Sequence, residues 1–149
     1  MCPVGTAQNG AISVSKVVGM MYSVSNGTGR MRVLMIDDDP EYMGLCTIIL
    51  RDDGHDVTAC SDFNEGRRLL AAAHFDVLLA DVRLGAYNGL HLIALAPPSM
   101  LKIAWSAFLD PVIRRDAEQA GARFVVKPAD CASVSALLSQ SDYAAAQSS

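Results

Sequence analysis

The sequence predicts an α/β fold in which five parallel strands form one sheet with helices on both faces. Two observations point to it. Short apolar runs of the kind found in strands buried on both faces recur along the chain, and they alternate with stretches whose apolar residues follow helical spacing. The connections between them are short, and crossovers of that kind return the chain parallel to itself. A third feature concerns chemistry: runs one, three, four and five stop on Asp, Asp, Ser and Lys.

Residues 1–30 precede the first run. They are rich in Ser, Gly, Asn and Thr and close on the turn-prone Ser25-Asn26-Gly27-Thr28-Gly29. They read as a flexible N-terminal extension, or as sequence upstream of a natural start at Met31. Val17–Val24 makes a poor secretory signal, being short, interrupted by Ser23 and preceded only by Lys16. The folded domain is placed at residues 31–140, followed by a disordered tail at 141–149.

Val33-Leu34-Met35-Ile36 is the first strand, and it stops at Asp37-Asp38-Asp39. Pro40 suits the first turn of a helix. Tyr42, Leu45, Cys46, Ile49 and Leu50 then make an apolar stripe, and Gly54 is a plausible stop. Asp56–Cys60 is the second strand. Asp62 can cap a helix through Ala73, with Phe63, Gly66, Leu69 and Leu70 facing inward. Val77-Leu78-Leu79-Ala80 is the third strand, ending on Asp81. A loop to Gly89, a short helix to about Leu95 and the breaker Pro97-Pro98 follow. Ile103-Ala104-Trp105 is the fourth strand, ending on Ser106. Asp110 or Pro111 opens a helix that Gly121 ends. Phe124-Val125-Val126 is the fifth strand, ending on Lys127-Pro128, and Asp130 can cap a last helix through about Ser139.

Bulk properties narrow the functional classes. The chain has 149 residues, 51% of them hydrophobic and 19% charged, and one domain of that size buries roughly 70% of its unfolded surface. No apolar run approaches the ~20 residues of a membrane-spanning helix. Net charge is −4, and the basic pairs Arg67–Arg68 and Arg114–Arg115 fit solvated helix faces. This argues against direct nucleic-acid binding. Cys2, Cys46, Cys60 and Cys131 show neither close pairing nor metal-ligand spacing, and they read as reduced thiols of a cytoplasmic protein.

The strand ends supply the candidate site. In an open α/β sheet, ligands bind in the crevice outside the carboxyl ends of the strands, where Asp37, Asp38, Asp81, Ser106 and Lys127 are expected to meet. Crowded carboxylates repel, and a divalent cation relieves that repulsion. Mg²⁺ suits a few carboxylates with retained waters and a phosphate oxygen. Asp81 can then attack a phosphoryl group whose oxygens the metal and Lys127 neutralise, while Ser106 donates a hydrogen bond to one of them. Singly, each residue has an ordinary reading: a strand-end Asp caps the next helix, a Ser occupies a turn, a Lys is solvated. The joint pattern is far harder to reduce to those separate roles.

Several motifs closely resemble the receiver domain of two-component response regulators. They are Val33 to Pro40, Asp81 with Gly89 eight residues on, Trp105-Ser106-Ala107, and Phe124 to Pro128; the resemblance covers Met31 to Leu138. It implies a flavodoxin-like, doubly wound (βα)5 sheet of strand order 2-1-3-4-5, of the stand-alone single-domain type. It also implies that Asp37 and Asp38 hold Mg²⁺ with Asp81 and the backbone carbonyl of Arg83, and that Asp81 becomes the aspartyl phosphate. Ser106 and Phe124 resemble the switch hydroxyl and switch aromatic. Lys127 would pair with the phosphoryl group, across a bond to Pro128 that is often cis in the family. The implied partners are a histidine kinase or histidine phosphotransfer protein and a downstream protein, with no membrane or direct nucleic-acid contact and no separate enzymatic turnover.

Departures from the family pattern are also legible. Gly85 stands where the family usually has Pro, which suggests a looser loop. The segment from Gly89 to Leu101 is several residues short, so the third helix or the loop after it is trimmed. Arg83 and Phe108 occupy positions where the family tunes access of hydrolytic water. The tail carries no output domain, so protein contact, phosphate relay or a phosphate sink is the expected output. Two alternatives stay open: a pseudo-receiver that binds partners without phosphorylation, and a haloacid-dehalogenase-type phosphatase that reads Asp37-x-Asp39 as its nucleophile motif. The second leaves Asp81 without a role.

Overall fold

The computed structural model describes residues 29–127 and 134–138. The elements run β1 (Arg32–Ile36), α1 (Pro40–Asp52), β2 (Asp56–Cys60), α2 (Phe63–Ala72), β3 (Val77–Asp81), β4 (Arg83–Leu84), β5 (Tyr87–Asn88), α3 (Leu90–Leu95), β6 (Leu101–Ser106), α4 (Pro111–Gln119) and β7 (Ala122–Val126). Residues 134–138 are helical (α5). The main sheet has the order β2-β1-β3-β6-β7 and every pairing is parallel. Numbered within that sheet, this is the 2-1-3-4-5 order expected.

Alternation along the strands sorts their side chains into two cores. Val33, Met35, Val77, Leu79, Ile103 and Trp105 face α1 and α5. Leu34, Ile36, Leu78, Ala80 and Ala104 face α2, α3 and α4. The central strand β3 is buried along its whole length, as its unbroken apolar run requires. Ser135 on α5 hydrogen-bonds Asp53, the C-cap residue of α1, joining the two helices of one face.

Local rules explain the helix starts. Asp39 accepts from the amides of Glu41 and Tyr42, with Pro40 at the first helical position. Asp62 accepts from Glu65, and Asp110 from Val112 and Ile113. The ordinary capping reading of Asp therefore holds for Asp39, Asp62 and Asp110.

Four expectations need correction. Leu45 belongs to the proposed stripe of α1 but is 42% exposed, because the helix turns Cys46, Ile49 and Leu50 to the sheet instead. The loop after Asp81 is not loose: β4 and β5 form an antiparallel hairpin in which Arg83 pairs with Asn88 and Leu84 with Tyr87. Gly85 opens its two-residue turn at φ +60, a conformation hairpin turns favour and proline cannot adopt. Strands β6 and β7 each begin two residues earlier than expected, since Lys102 and Arg123 interrupt the apolar pattern; Lys102 is nonetheless buried, its ammonium reaching the Ala120 carbonyl at the end of α4. Cys46 is disulfide-bonded rather than a free thiol, while Cys60 is free and buried. The extension through Thr28, the Lys127–Pro128 bond, the Asp130 cap and the tail also lie outside the described residues.

Candidate functional site

The parity that builds the α1-side core also builds the site. Asp37 follows Met35, Asp81 follows Leu79 and Lys127 follows Val125, each two residues beyond a side chain that packs on that face. Lys127 Nζ lies 2.6 Å from Asp37 Oδ2 and 3.0 Å from Asp81 Oδ2, so one ammonium bridges the ends of β1, β3 and β7. Asp37 and Asp81 are buried and Asp38 is exposed beside them. One carboxylate oxygen from each of the three lies within 4.8 Å of the others.

Backbone donors fix the carboxylates. The Asp39 amide donates to Asp37 Oδ1 (2.8 Å) and the Arg83 amide to Asp81 Oδ1 (3.0 Å). The Gly85 amide donates to Asp38 Oδ2 (3.3 Å), a bond that a proline at that position could not supply. Gly89 closes the hairpin onto the end of β3, its amide donating to the Val82 carbonyl at 2.8 Å.

Burial pushes the Asp37 carboxyl up to about 6, although its bonds from Lys127 and the Asp39 amide pull it down. Burial alone would lower Lys127, but its bonds to Asp37 and Asp81 outweigh that and hold it above the ordinary lysine value. Burying such a group for stability is poor value, since desolvation of the ions consumes most of the pairing energy. Two buried carboxylates sharing one ammonium, with a third alongside, leave an all-oxygen donor set with negative charge to spare. That set fits a hard divalent cation such as Mg²⁺ or Ca²⁺.

Ser106 and Phe124 lie on the other parity. Ser106 is buried, its Oγ accepting from the Phe108 amide (3.3 Å) and its carbonyl from the Lys127 amide (2.7 Å). Phe124 is half-buried, in register with Ala104, and packs on the α2–α4 core. The five predicted polar residues thus meet at one sheet edge, but the hydroxyl stands outside the charge cluster. The Arg83 guanidinium stacks over the exposed Phe108 ring at 5.5 Å, bringing together the two positions beside the site.

Two neighbours escaped sequence reasoning. The Tyr42 and Trp105 rings lie 4.9 and 5.3 Å from Lys127 Nζ, yet both residues read simply as members of apolar patterns. A groove of about 540 Å³ lined by Phe63, Arg67, Tyr87, His91, Ala94 and Leu95 lies between α2 and α3 and shares no residue with the charge cluster.

Comparison with known proteins agrees with this geometry. Over 101 residues the chain is 33% identical to the alginate biosynthesis transcriptional regulatory protein AlgB of Pseudomonas aeruginosa, covering 65% of this chain and 22% of AlgB. The chain spans about a quarter of the length of the curated relatives it matches. Those relatives are named as transcriptional or DNA-binding regulators, so they lend no support to the expectation that nucleic acid plays no part. A Burkholderia pseudomallei response regulator, solved with a phosphorylated aspartic acid, calcium ion and citrate, is 28% identical with a TM-score of 0.67, covering 72% of this chain and 65% of that one. A CheY-like receiver domain from Methanospirillum hungatei has the same fold (TM-score 0.75, 22% identity, 81% of this chain and all of that one). The family model described as the response regulator receiver domain matches residues 33–139, and the chain belongs to that family.

Proposed function

We propose that Asp81 accepts a phosphoryl group from a phosphohistidine on a histidine kinase or histidine phosphotransfer protein, and that the resulting aspartyl phosphate signals by protein contact. The observation that supports this most is the Lys127 ammonium shared by two buried carboxylates at the carboxyl ends of β1 and β3. In the transfer, an Asp81 carboxylate oxygen forms the new bond to phosphorus as the donor's N–P bond breaks, and the imidazole nitrogen keeps the electron pair. Lys127 neutralises phosphoryl oxygens, and the Ser106 hydroxyl turns to donate to one of them. Asp37, Asp38, Asp81 and the Arg83 carbonyl are the proposed ligands of Mg²⁺. When bound, the cation offsets the charge that gathers on the phosphoryl oxygens.

The aspartyl phosphate adds up to about two negative charges. Ser106 moves towards it and Phe124 fills the space behind, which alters the surface of α4, β7 and α5. A tenfold shift towards the active form needs the phosphoryl contacts to favour it by ~1.4 kcal/mol.

Incubation with acetyl phosphate, with and without Mg²⁺, tests the reading. Stoichiometric, metal-dependent labelling of Asp81 is expected, and Asp81→Asn should abolish it. An Asp81→Asn protein that still takes label would sink the assignment. Continuous turnover of a phosphate monoester would favour the phosphatase alternative instead.

A further inference from the structure

We propose that Tyr42 and Trp105 form an aromatic clamp that aims the Lys127 ammonium at the acceptor carboxylate, which makes them positioning residues for phosphoryl transfer. The inference rests on the reading of Asp81 as the phospho-acceptor. Both ring centroids lie within 6 Å of Lys127 Nζ, at 4.9 Å for Tyr42 and 5.3 Å for Trp105, and the rings contact each other at 4.8 Å with a 56° tilt. Cation–π attraction reaches about this far and strengthens as water is removed. Here the lysine side chain is only 13% exposed.

The fold holds both rings in place. Trp105 is fully buried on β6, in register with Asp81 on one side and with Val125, two residues before Lys127, on the other. Tyr42 stands in the first turn of α1, where its amide is capped by Asp39, the residue that also donates to Asp37. Among the described residues, the Trp105 indole N–H has no acceptor. A phenylalanine would fill the strand without burying that donor. What the indole adds is the best π face for a cation.

A ring face suits this task better than another carboxylate would. It attracts the ammonium without engaging its three N–H donors, which stay available to oxygens. It also restricts a long, flexible stem, so less rotamer freedom is lost when the phosphoryl group arrives.

The test uses the full chain, acetyl phosphate as donor and saturating Mg²⁺. Tyr42→Phe should label within about twofold of wild type, while Tyr42→Leu should lower the maximal rate about tenfold, at an unchanged half-saturating donor concentration. In a Lys127→Ala background, Tyr42→Leu should have no further effect, because the ring acts through the lysine. Trp105→Phe should fall between wild type and Tyr42→Leu, and thermal melts confirm that each variant is folded. Trp105 is the chain's single Trp, so its emission should shift in Lys127→Met. Wild-type labelling by folded Tyr42→Leu, an equal loss in the Lys127→Ala background, or unmoved emission would each overturn the clamp. A wild-type chain that takes no label would overturn the acceptor reading instead.

Discussion

Replacing Gly89 with alanine tests whether the position of Asp81, the proposed acceptor, depends on the hairpin that follows it. A Cβ at this residue would lie 1.8 Å from the Asp81 carbonyl oxygen, 2.9 Å from its carbon and 3.3 Å from Val82 Cα. Real Cβ atoms essentially never approach closer than 3.0 Å, so one backbone must retreat by about 1.2 Å. The obstructing atoms are main chain, with no flexible tip to swing aside. Gly89 has φ −61, an ordinary value, so glycine is needed here for space and not for conformation.

The strain can be relieved in two directions. β3 is hydrogen-bonded to β1 and β6 on its two edges and resists movement, whereas β4–β5 is a two-residue-per-strand hairpin. If the hairpin lifts, overpacking of this kind costs about 1–3 kcal/mol, and a domain this size would melt several degrees lower. If Asp81 shifts instead, a 1 Å misplacement costs about 10²-fold in rate. Thermal melts paired with acetyl phosphate labelling read both. A Gly89→Ala protein that melts and labels like wild type would refute the close-approach argument.

Three further predictions concern the surroundings of Asp81. Because burial raises Asp37 to about 6, protons compete with a divalent cation below that pH, and calorimetric metal affinity should fall about tenfold per unit there and level off above it. The same shift makes the folded state bind the extra proton between pH ~6 and the unfolded value of 3.8, so this group adds stability as pH falls through that window. Asp37→Asn should remove that contribution from denaturant titrations without metal. Phe108→Ala should speed loss of the aspartyl phosphate several-fold, since it removes the 62% exposed ring that stacks on Arg83 beside the site; an unchanged lifetime means the ring shields nothing. Gly85→Pro takes away both the φ +60 turn and the amide bonded to Asp38, so it should weaken metal binding by several-fold and destabilise the chain by more than ~1 kcal/mol.

The sheet was legible because its physics is local. β1 and β3 are unbroken apolar runs that end on charge, and in a chain with short crossovers such runs fit the buried strands of a parallel sheet. Asp37, Asp38, Asp81, Ser106 and Lys127 could be named because each ends a strand, and the topology then gathers strand ends. The hairpin was not legible: Arg83-Leu84 and Tyr87-Asn88 are too short for any periodicity, and Gly85 invited a reading of looseness where it makes a tight turn. Lys102 hid the start of β6 because a lysine breaks the apolar pattern even when its stem is buried. The aromatic neighbours of Lys127 were hidden for the opposite reason. Tyr42 and Trp105 satisfy the core pattern so well that nothing in the sequence marks them as anything else.

The separation of the charge cluster from Ser106 and Phe124 across the sheet has a mechanical consequence for the proposed function. Asp37, Asp81, Trp105 and Lys127 share the parity of the α1 face, whereas Ser106 and Phe124 share that of the α2–α4 face. Successive residues of one strand, Trp105 and Ser106, therefore serve opposite faces. The Ser106 carbonyl accepts from the Lys127 amide at 2.7 Å, so the hydroxyl's backbone is tied to the lysine's. If Asp81 is the acceptor, as proposed, its phosphoryl group would pull on Lys127 from one side and on the Ser106 hydroxyl from the other. Strand β6 cannot slide, because its ladder to β3 and β7 runs its full length. What can move is the side chain of Ser106 and the residues after it, Ala107 to Leu109, which are exposed. That segment and the N-cap Asp110 lead into α4, so under the proposed function a change at the acidic edge would reach the helical face opposite α1 through the four residues 107–110, without deforming the sheet.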